Sequence, residues 1–97
     1  MRLRFLSIAA IELRESIAYY ESIAPGLGER FLNEIEGTLD RIAAHPTAWA
    51  RFGGELRRCR MTNFPYGLIY AVQDESILIV AVANMHRNPE HWRRRFR

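Results

Sequence analysis

The sequence predicts an α+β fold in two layers, in which a helical hairpin packs on one face of a small, mainly antiparallel sheet. Two long amphipathic segments come first, and several short apolar segments follow them. Pro25-Gly26 separates the amphipathic segments and permits a sharp reversal, so we expect an antiparallel pair of helices. The expected order of elements is β-α-α-β-β-β, and a length of 97 residues predicts a single domain over residues 1–97.

The N-terminal half supplies one strand and both helices. Residues 2–7 alternate between apolar and polar side chains, which predicts a strand with Leu3 and Phe5 facing inward. Ser7 is expected to cap the following helix through its hydroxyl. The predicted helices are about 9–24, with Leu13, Ile17, Tyr20 and Ala24 on one apolar face, and 27–44, with Leu27, Phe31, Ile35, Leu39 and Ile42 on another.

The C-terminal half supplies the remaining strands. His45-Pro46 ends the second helix, and residues 47–54 are predicted to be a loop because they end in a Gly-Gly pair. Strands are predicted at about 56–62, 67–73 and 77–83, with a polar hairpin connection between the last two. Pro89 interrupts the chain, and residues 90–97 are expected to form a short helix or an extended tail.

The predicted strand at 77–83 is apolar at every position, which indicates burial on both faces. Two helices cover only one face of a sheet, so the other face needs a separate cover. The candidates are the C-terminal tail with Trp92 and Phe96, a second copy of the chain, or a partner chain. We expect a partner chain, with the tail contributing, because a bare face of this kind promotes aggregation.

The charge is distributed unevenly between the two halves of the chain. Residues 1–50 hold five arginines and seven acidic residues, whereas residues 51–97 hold nine arginines and four acidic residues. The cationic field therefore lies in the C-terminal half and favours an acidic or phosphorylated partner. Direct binding to free DNA is disfavoured because the net charge is only +3 and the helices are acidic.

Several other classes of protein are disfavoured by the composition. The longest apolar run, 77–83, is too short to span a bilayer, so we expect no membrane segment. The single Cys59 cannot form an internal disulfide, which favours a reducing, cytoplasmic setting. The three histidines are scattered and no glycine-rich phosphate loop is present, so we expect neither a metal site nor a cofactor.

Over nearly its whole length, the chain resembles the RelE/ParE superfamily of small bacterial toxins, also called plasmid-stabilisation proteins. The residues that carry the resemblance are Tyr19-Tyr20-Glu21, Gly26-Leu27-Gly28, Arg30-Phe31-Leu32, Leu56-Arg57-Arg58, Phe64-Pro65-Tyr66, Ala81-Val82-Ala83, Arg87, Pro89, Trp92 and Arg95. The resemblance implies the toxin of a type II toxin-antitoxin system, which a cognate antitoxin neutralises. It also implies that DNA is contacted only through that antitoxin.

The family resemblance leaves the target open. One branch of the superfamily inhibits DNA gyrase and another cleaves mRNA on the ribosome. Similar sequences often carry His where this chain has Asn84 and Tyr where it has His91. We therefore expect gyrase inhibition without chemistry, with ribosome-dependent mRNA endonuclease activity as the alternative. A third hypothesis is a non-toxic relative that only binds its antitoxin.

Two sets of candidate residues follow from these hypotheses. A nuclease needs a base, an acid and cations around the phosphate, and Arg57, Arg60, Arg87 and His91 could supply them. Arg57 and Arg60 are three apart, however, and so lie on opposite faces of a regular strand. The structural alternative for Arg57 and Arg58 is a charged strand edge or an ion pair with Glu12 or Glu34. The predicted partner-binding residues are Trp49, Arg58, Phe64, Tyr66 and Trp92, where either tryptophan could instead be a lid on the core.

Overall fold

A computed structural model describes residues 2–95 and contains two long helices on one face of a five-stranded mixed sheet. The elements are β1 (Arg2–Phe5), α1 (Ser7–Ile23), α2 (Leu27–Ala44), β2 (Ala50–Gly53), β3 (Leu56–Arg60), β4 (Tyr66–Gln73), β5 (Ser76–Asn84) and α3 (Glu90–Arg93). The strand order is β1-β5-β4-β3-β2, with β1 parallel to β5 and the other pairs antiparallel. The predicted α+β class and helical hairpin are confirmed.

The helix-covered face of the sheet holds the larger of two apolar clusters. Phe31, Ile35 and Ile42 of α2 are at most 1% exposed and pack against the sheet. Tyr20 of α1 stacks on Phe31 with ring centroids 5.1 Å apart. Burial of an apolar side chain of this size contributes roughly 1.5–3 kcal/mol, so these residues fix the helices on the sheet.

The turn between the helices is held by Glu21. Its carboxylate accepts hydrogen bonds from the N–H groups of Gly26 and Gly28 at 3.0–3.1 Å. Gly26 has φ +85°, a conformation that favours glycine, and a Cβ on Gly28 would lie 2.8 Å from the Ile17 carbonyl oxygen. The Pro-Gly reversal therefore allows a close approach of the two helices as well as a change of direction.

Three local predictions were wrong. The predicted loop at 47–54 contains the edge strand β2, which pairs with β3. Ser7 is the first helical residue rather than the cap; Leu6 occupies the cap position and no side-chain cap bond forms. Leu3, on the edge strand β1, is 39% exposed rather than inward, whereas Phe5 packs against the core.

The second face of the sheet is covered by the chain itself. A register shift in the β4–β5 ladder leaves Val80 without a cross-strand partner. On either side of it, Leu78, Ala81 and Ala83 are at most 8% exposed, and Val80 is fully buried. Trp92 of α3, itself 2% exposed, packs in the same cluster as these residues. The expected contribution of the tail is therefore confirmed by Trp92, whereas the expectation that a partner chain covers this face is wrong. Phe96, the other tail residue considered, lies outside the described residues.

Candidate partner-binding site

A cleft of about 520 Å³ opens between α1, the end of β5 and the segment 87–95. Its lining residues from α1 are Ile8, Ile11, Glu12, Glu15, Ser16 and Tyr19; those from the strands are Tyr66, Val82 and Asn84; and those from the C-terminal segment are Arg87, His91, Trp92 and Arg95. Both signs of charge and several apolar side chains share this wall, which suits recognition of a polypeptide.

The floor of the cleft is an ion pair between Glu12 and Arg95. The guanidinium donates to both carboxylate oxygens, at 2.9 Å from Nη1 and 2.7 Å from Nη2. The side chains are 19% and 13% exposed, respectively, so solvent screens the pair only partly. This bidentate geometry ties the C-terminal segment to α1.

The same two side chains also bond to the backbone of β5. Glu12 Oε1 accepts the N–H of Val82 at 3.0 Å, and Arg95 Nη1 donates to the carbonyl oxygen of Val80 at 3.3 Å. These backbone groups lie beyond the end of β1, which pairs with β5 only as far as Ile79. The pair thus satisfies polar groups at an edge of the sheet where no described strand is adjacent.

An exposed apolar stripe runs along the outer side of α1. Ile8 and Ile11 are each 45% exposed, Tyr19 is 58% exposed and Ile23 is 56% exposed. Their spacings of three, eight and four residues place them on one side of a helix. The first three of these residues line the cleft. Clustered exposed apolar side chains on a small domain indicate an interaction surface.

Two of the five predicted partner-binding residues, Tyr66 and Trp92, line this cleft. Phe64 belongs to an aromatic cluster at the edge of the helix-side core, 4.8 Å from Tyr20 between centroids. Trp49 closes the end of that core, because its Nε1 donates to the carbonyl oxygen of Arg41 at 3.2 Å. The structure therefore does not bring the five together.

Arg58 lies on the other face of the sheet, beside α3. Its guanidinium carbon is 5.5 Å from the centre of the Phe52 ring, and that of Arg93 is 5.0 Å from the same ring. Burial, and to a lesser extent the neighbouring charge of Arg60, lowers the pKa of Arg58. Neither structural alternative for Arg57 and Arg58 holds. Strand β3 lies between β4 and β2 and is not a sheet edge, and of the two candidate ion-pair partners Glu12 binds Arg95 and Glu34 accepts bonds from Asn63.

The four candidate nuclease residues are divided among three places. Arg57 lies on the helix side of β3, where Nη1 donates to the carbonyl oxygen of Trp49 at 2.9 Å. Arg60 follows at the opposite face of the same strand, as its spacing from Arg57 predicts. Arg87 and His91 line the cleft beyond β5, two strands away, or about 10 Å across the sheet.

Metal-binding and membrane-spanning features are not found over residues 2–95. No group of three or more His, Cys, Asp or Glu side chains in this range could hold a metal ion. Cys59 is 1% exposed on the helix side, where burial raises the pKa of its thiol. No helix in the same range is long and apolar enough to cross a membrane.

The chain is similar to known proteins over most of its length. A family model described as "ParE toxin of type II toxin-antitoxin system, parDE" matches residues 3–89. The chain belongs to this family. It is 32% identical over 89 residues to Toxin ParE2 of Mycobacterium tuberculosis in two strains, a match that covers 91% of this chain and 85% of the relative.

The fold has a counterpart among solved structures. A chain described as "Chromosomal ParDE TA system from P. aeruginosa" superposes with a TM-score of 0.64 and 17% identity, covering 87% of this chain and 95% of that one. At this identity the similarity shows the fold alone. Together with the family match, it confirms the predicted resemblance: the protein is a ParE-family toxin of a type II toxin-antitoxin system.

Sequence reasoning identified Arg87, His91, Tyr66 and Trp92 of the cleft but missed its centre. Glu12 and Arg95 are 83 positions apart, and an isolated acidic or basic residue carries no pairing information. The exposed stripe on α1 had a readable signal, since Ile8, Ile11 and Tyr19 fall outside the apolar face that packs on α2 and the sheet.

Proposed function

We propose that this ParE-family toxin acts in the bacterial cytoplasm by binding and inhibiting DNA gyrase, with no chemistry of its own, and that a cognate antitoxin neutralises it. The separation of the candidate nuclease residues supports binding over cleavage. Arg57 already bonds to the Trp49 carbonyl oxygen, and Arg60 does not line the cleft that holds Arg87 and His91. A phosphoryl-transfer site instead needs its acid, base and cations around one phosphate.

A gyrase supercoiling assay tests the proposal directly. Purified toxin should block ATP-dependent supercoiling of relaxed plasmid by gyrase, and pre-incubation with the antitoxin should restore it. Translation of a reporter mRNA in a cell-free extract should continue unchanged at the same toxin concentration. Loss of translation with intact supercoiling would instead establish the mRNA endonuclease.

Two variants sharpen the assay. Arg87→Ala and His91→Ala change exposed cleft residues, and the His91 ring also contacts the buried Trp92 edge-on, with ring centroids 5.5 Å apart. Under the nuclease hypothesis, each variant removes a catalytic group and mRNA cleavage should fall by about a hundredfold or more. Under the gyrase hypothesis no cleavage exists to lose, and RNA from toxin-expressing cells stays intact for the wild type and both variants.

Bacterial growth distinguishes a toxin from a non-toxic relative. Induced expression should arrest growth and induce the response to DNA damage, and co-expression of the antitoxin should relieve both effects. A chain that binds its antitoxin but leaves growth unchanged would be the non-toxic relative, and the proposed target would then be wrong.

A further inference from the structure

Three arginines, here called the arginine cluster, lie together on the second face of the sheet, beside β2 and α3. Arg58 and Arg60 point to this face because they alternate with Cys59, which belongs to the helix-side core. Arg93 reaches the same region from α3, where its Nε donates to the carbonyl oxygen of Phe52 at 2.9 Å. The guanidinium carbons of Arg58 and Arg93 both lie within 5.5 Å of the centre of the Phe52 ring.

The positive charge of the arginine cluster is only partly neutralised by residues 2–95. Arg93 forms an ion pair with Glu90 at 3.0 Å. Neither Arg58 nor Arg60 forms an ion pair with another residue of this range. Arg58 is half-buried, and its burial and the neighbouring charge of Arg60 both lower its pKa. A half-buried charge without a counter-ion costs the folded protein free energy, and an anionic group on a bound partner offsets that cost.

The arginine cluster is accessible to a partner and is separate from the cleft. Arg60 is exposed, and 41% of the Arg93 side chain is exposed. None of the three arginines lines the cleft beside α1. The two surfaces are therefore able to bind different partners.

The spacing within the arginine cluster suits an extended polypeptide. Arg58 and Arg60 are two positions apart on β3, so their Cα atoms are separated by about 6.7 Å. Alternate residues of an extended segment have the same separation, and their side chains point the same way. Two carboxylates at alternate positions can thus each accept a bidentate pair of bonds from one guanidinium.

We propose that the toxin binds gyrase through the arginine cluster, which takes an acidic, extended segment of that enzyme with Asp or Glu at alternate positions. This inference rests on the proposed inhibition of gyrase and specifies the surface that carries it. It gives Arg58, a predicted partner-binding residue that lies outside the cleft, a partner of its own. It also gives a role to the uneven charge of the chain, since all three arginines belong to the cationic C-terminal half.

Nucleic acid fits the arginine cluster less well than an acidic polypeptide does. Surfaces that bind single strands combine their cations with aromatic side chains on which the bases stack. The aromatic rings of the apolar cluster on this face, Phe52 and Trp92, are only 5% and 2% exposed and offer no such platform. Duplex DNA is disfavoured by the small net charge of +3.

A second copy of the chain also fits poorly. In a two-fold dimer built on the arginine cluster, arginines would face arginines and repel one another. The exposed acidic side chains of α2, such as Glu36 and Asp40, belong to the layer on the opposite side of the sheet. Pairing the arginine cluster with them would be head-to-tail and would give an open chain of molecules rather than a defined complex.

Charge reversal within the arginine cluster tests the inference. Arg60→Glu and Arg51→Glu change the net charge by the same amount at exposed positions of neighbouring strands. Arg51 is the matched control, because it pairs directly with Arg57 and so lies on the helix side of the sheet. Arg60→Gln is a second variant that removes the charge without reversing it. Thermal unfolding followed by circular dichroism checks that all three variants are folded.

The probe is purified gyrase without DNA, and the Kd of its complex with the toxin is measured alongside the toxin concentration that halves supercoiling. Arg60→Glu should raise both values by about tenfold or more, because an attraction becomes a repulsion, and Arg51→Glu by less than about threefold. Arg60→Gln should fall between the two. Wild-type binding should weaken as the salt concentration rises, and Arg60→Glu should reduce that dependence.

The outcomes separate the inference from the function on which it rests. If the wild type neither binds nor inhibits gyrase, the proposed function fails and the inference fails with it. If the wild type inhibits gyrase but the Arg60 variants match it, or weaken binding no more than Arg51→Glu does, the arginine cluster is not the contact surface while gyrase inhibition stands.

Two further controls identify the other possible occupants. Binding of a duplex oligonucleotide that depends on Arg60, without Arg60-dependent binding to DNA-free gyrase, would assign the arginine cluster to nucleic acid and overturn the inference. Self-association of the wild type in gel filtration that Arg60→Glu abolishes would identify a second copy of the chain and overturn it as well.

Discussion

The centres of the two faces of the sheet are equally buried, but by covers of very different size. On the helix face, α1 and α2 together supply 35 helical residues, and Tyr70 and Ile79 of the sheet are fully buried. On the other face, Val80 and Ala81 are fully buried as well, yet α3 has only four residues and one large apolar anchor, Trp92.

The difference lies in how each cover is attached. The helices are joined to each other and to the sheet by many apolar contacts along their whole length. The C-terminal segment depends on Trp92 and on two arginines: Arg93 Nε donates to the Phe52 carbonyl oxygen at 2.9 Å, and Arg95 binds Glu12. Equal burial therefore does not imply equal local stability, because a cover with few attachments can open without global unfolding.

The largest expected effect is on the helix face. Phe31→Ala removes a fully buried ring that contacts Tyr20, Phe64 and Tyr66. It should lower the free energy of unfolding by about 4 kcal/mol, since the surrounding rings cannot fill the cavity. Urea unfolding followed by far-UV circular dichroism measures this loss. A loss in the free energy of unfolding below about 2 kcal/mol would show that the helix layer rearranges around the missing ring as readily as the C-terminal segment does around a missing Trp92.

A slightly smaller global effect is expected from the tail. Trp92→Ala should lower the free energy of unfolding by about 3 kcal/mol, because the short segment can detach instead of enclosing a rigid cavity. Binding of a hydrophobic dye should rise while helical circular dichroism is retained. If dye binding stays at the wild-type level, the second face has a cover independent of Trp92.

The ion pair that attaches the tail is expected to contribute less. Glu12→Gln keeps an acceptor for the Val82 N–H but loses the charge that holds Arg95, and should cost about 1–2 kcal/mol in urea unfolding. Glu15→Gln on the same helix is the matched control, since Glu15 lines the cleft but is exposed. Equal losses in both variants would show a general charge effect rather than an attachment of the tail.

A change of opposite sign is expected in α2. Gly37 lies inside this helix and a Cβ there would meet no atom within 4 Å. Gly37→Ala should therefore raise the free energy of unfolding by about 0.5–1 kcal/mol, because alanine loses less backbone entropy in a helix. Thermal unfolding followed by circular dichroism checks the sign. A lower melting temperature would indicate an unseen steric constraint on the helix layer.

A dependence on alkaline pH is also expected, and it belongs to the helix face. Burial raises the pKa of Tyr70 to about 12, against the opposing effect of Arg57, and burial also raises the pKa of Cys59. Tyr70 and Cys59 ionise more readily in the unfolded chain than in the folded protein. Their contribution to the free energy of unfolding is therefore complete below about pH 9 and is lost as the pH rises toward 12. Urea unfolding at pH 8 and pH 11 should show this decline, and Tyr70→Phe should reduce it. If the free energy of unfolding of Tyr70→Phe falls as much between pH 8 and pH 11 as that of the wild type, Tyr70 is not the source of the decline.

Local patterning determined the helical hairpin and most of the sheet from sequence alone. The apolar spacing in α2, the Pro25-Gly26 break and the run at 77–83 are each short-range signals that can be read without tertiary information. The order of those elements also carried the resemblance that the family match confirmed. Strand β2 was not predicted, because a four-residue segment that ends in glycine has too little periodicity to be distinguished from a loop.

The cleft and the cover of the second face were decided only by the tertiary structure. The sequence required some cover for 77–83, but whether Trp92 or another polypeptide supplied it depended on the path of the chain after Asn84. Likewise, Glu12 and Arg95 became a pair only because β1 stops at Phe5 and leaves the end of β5 open between them. Contacts between residues this distant in sequence follow from the relative lengths of neighbouring strands, which no local pattern records.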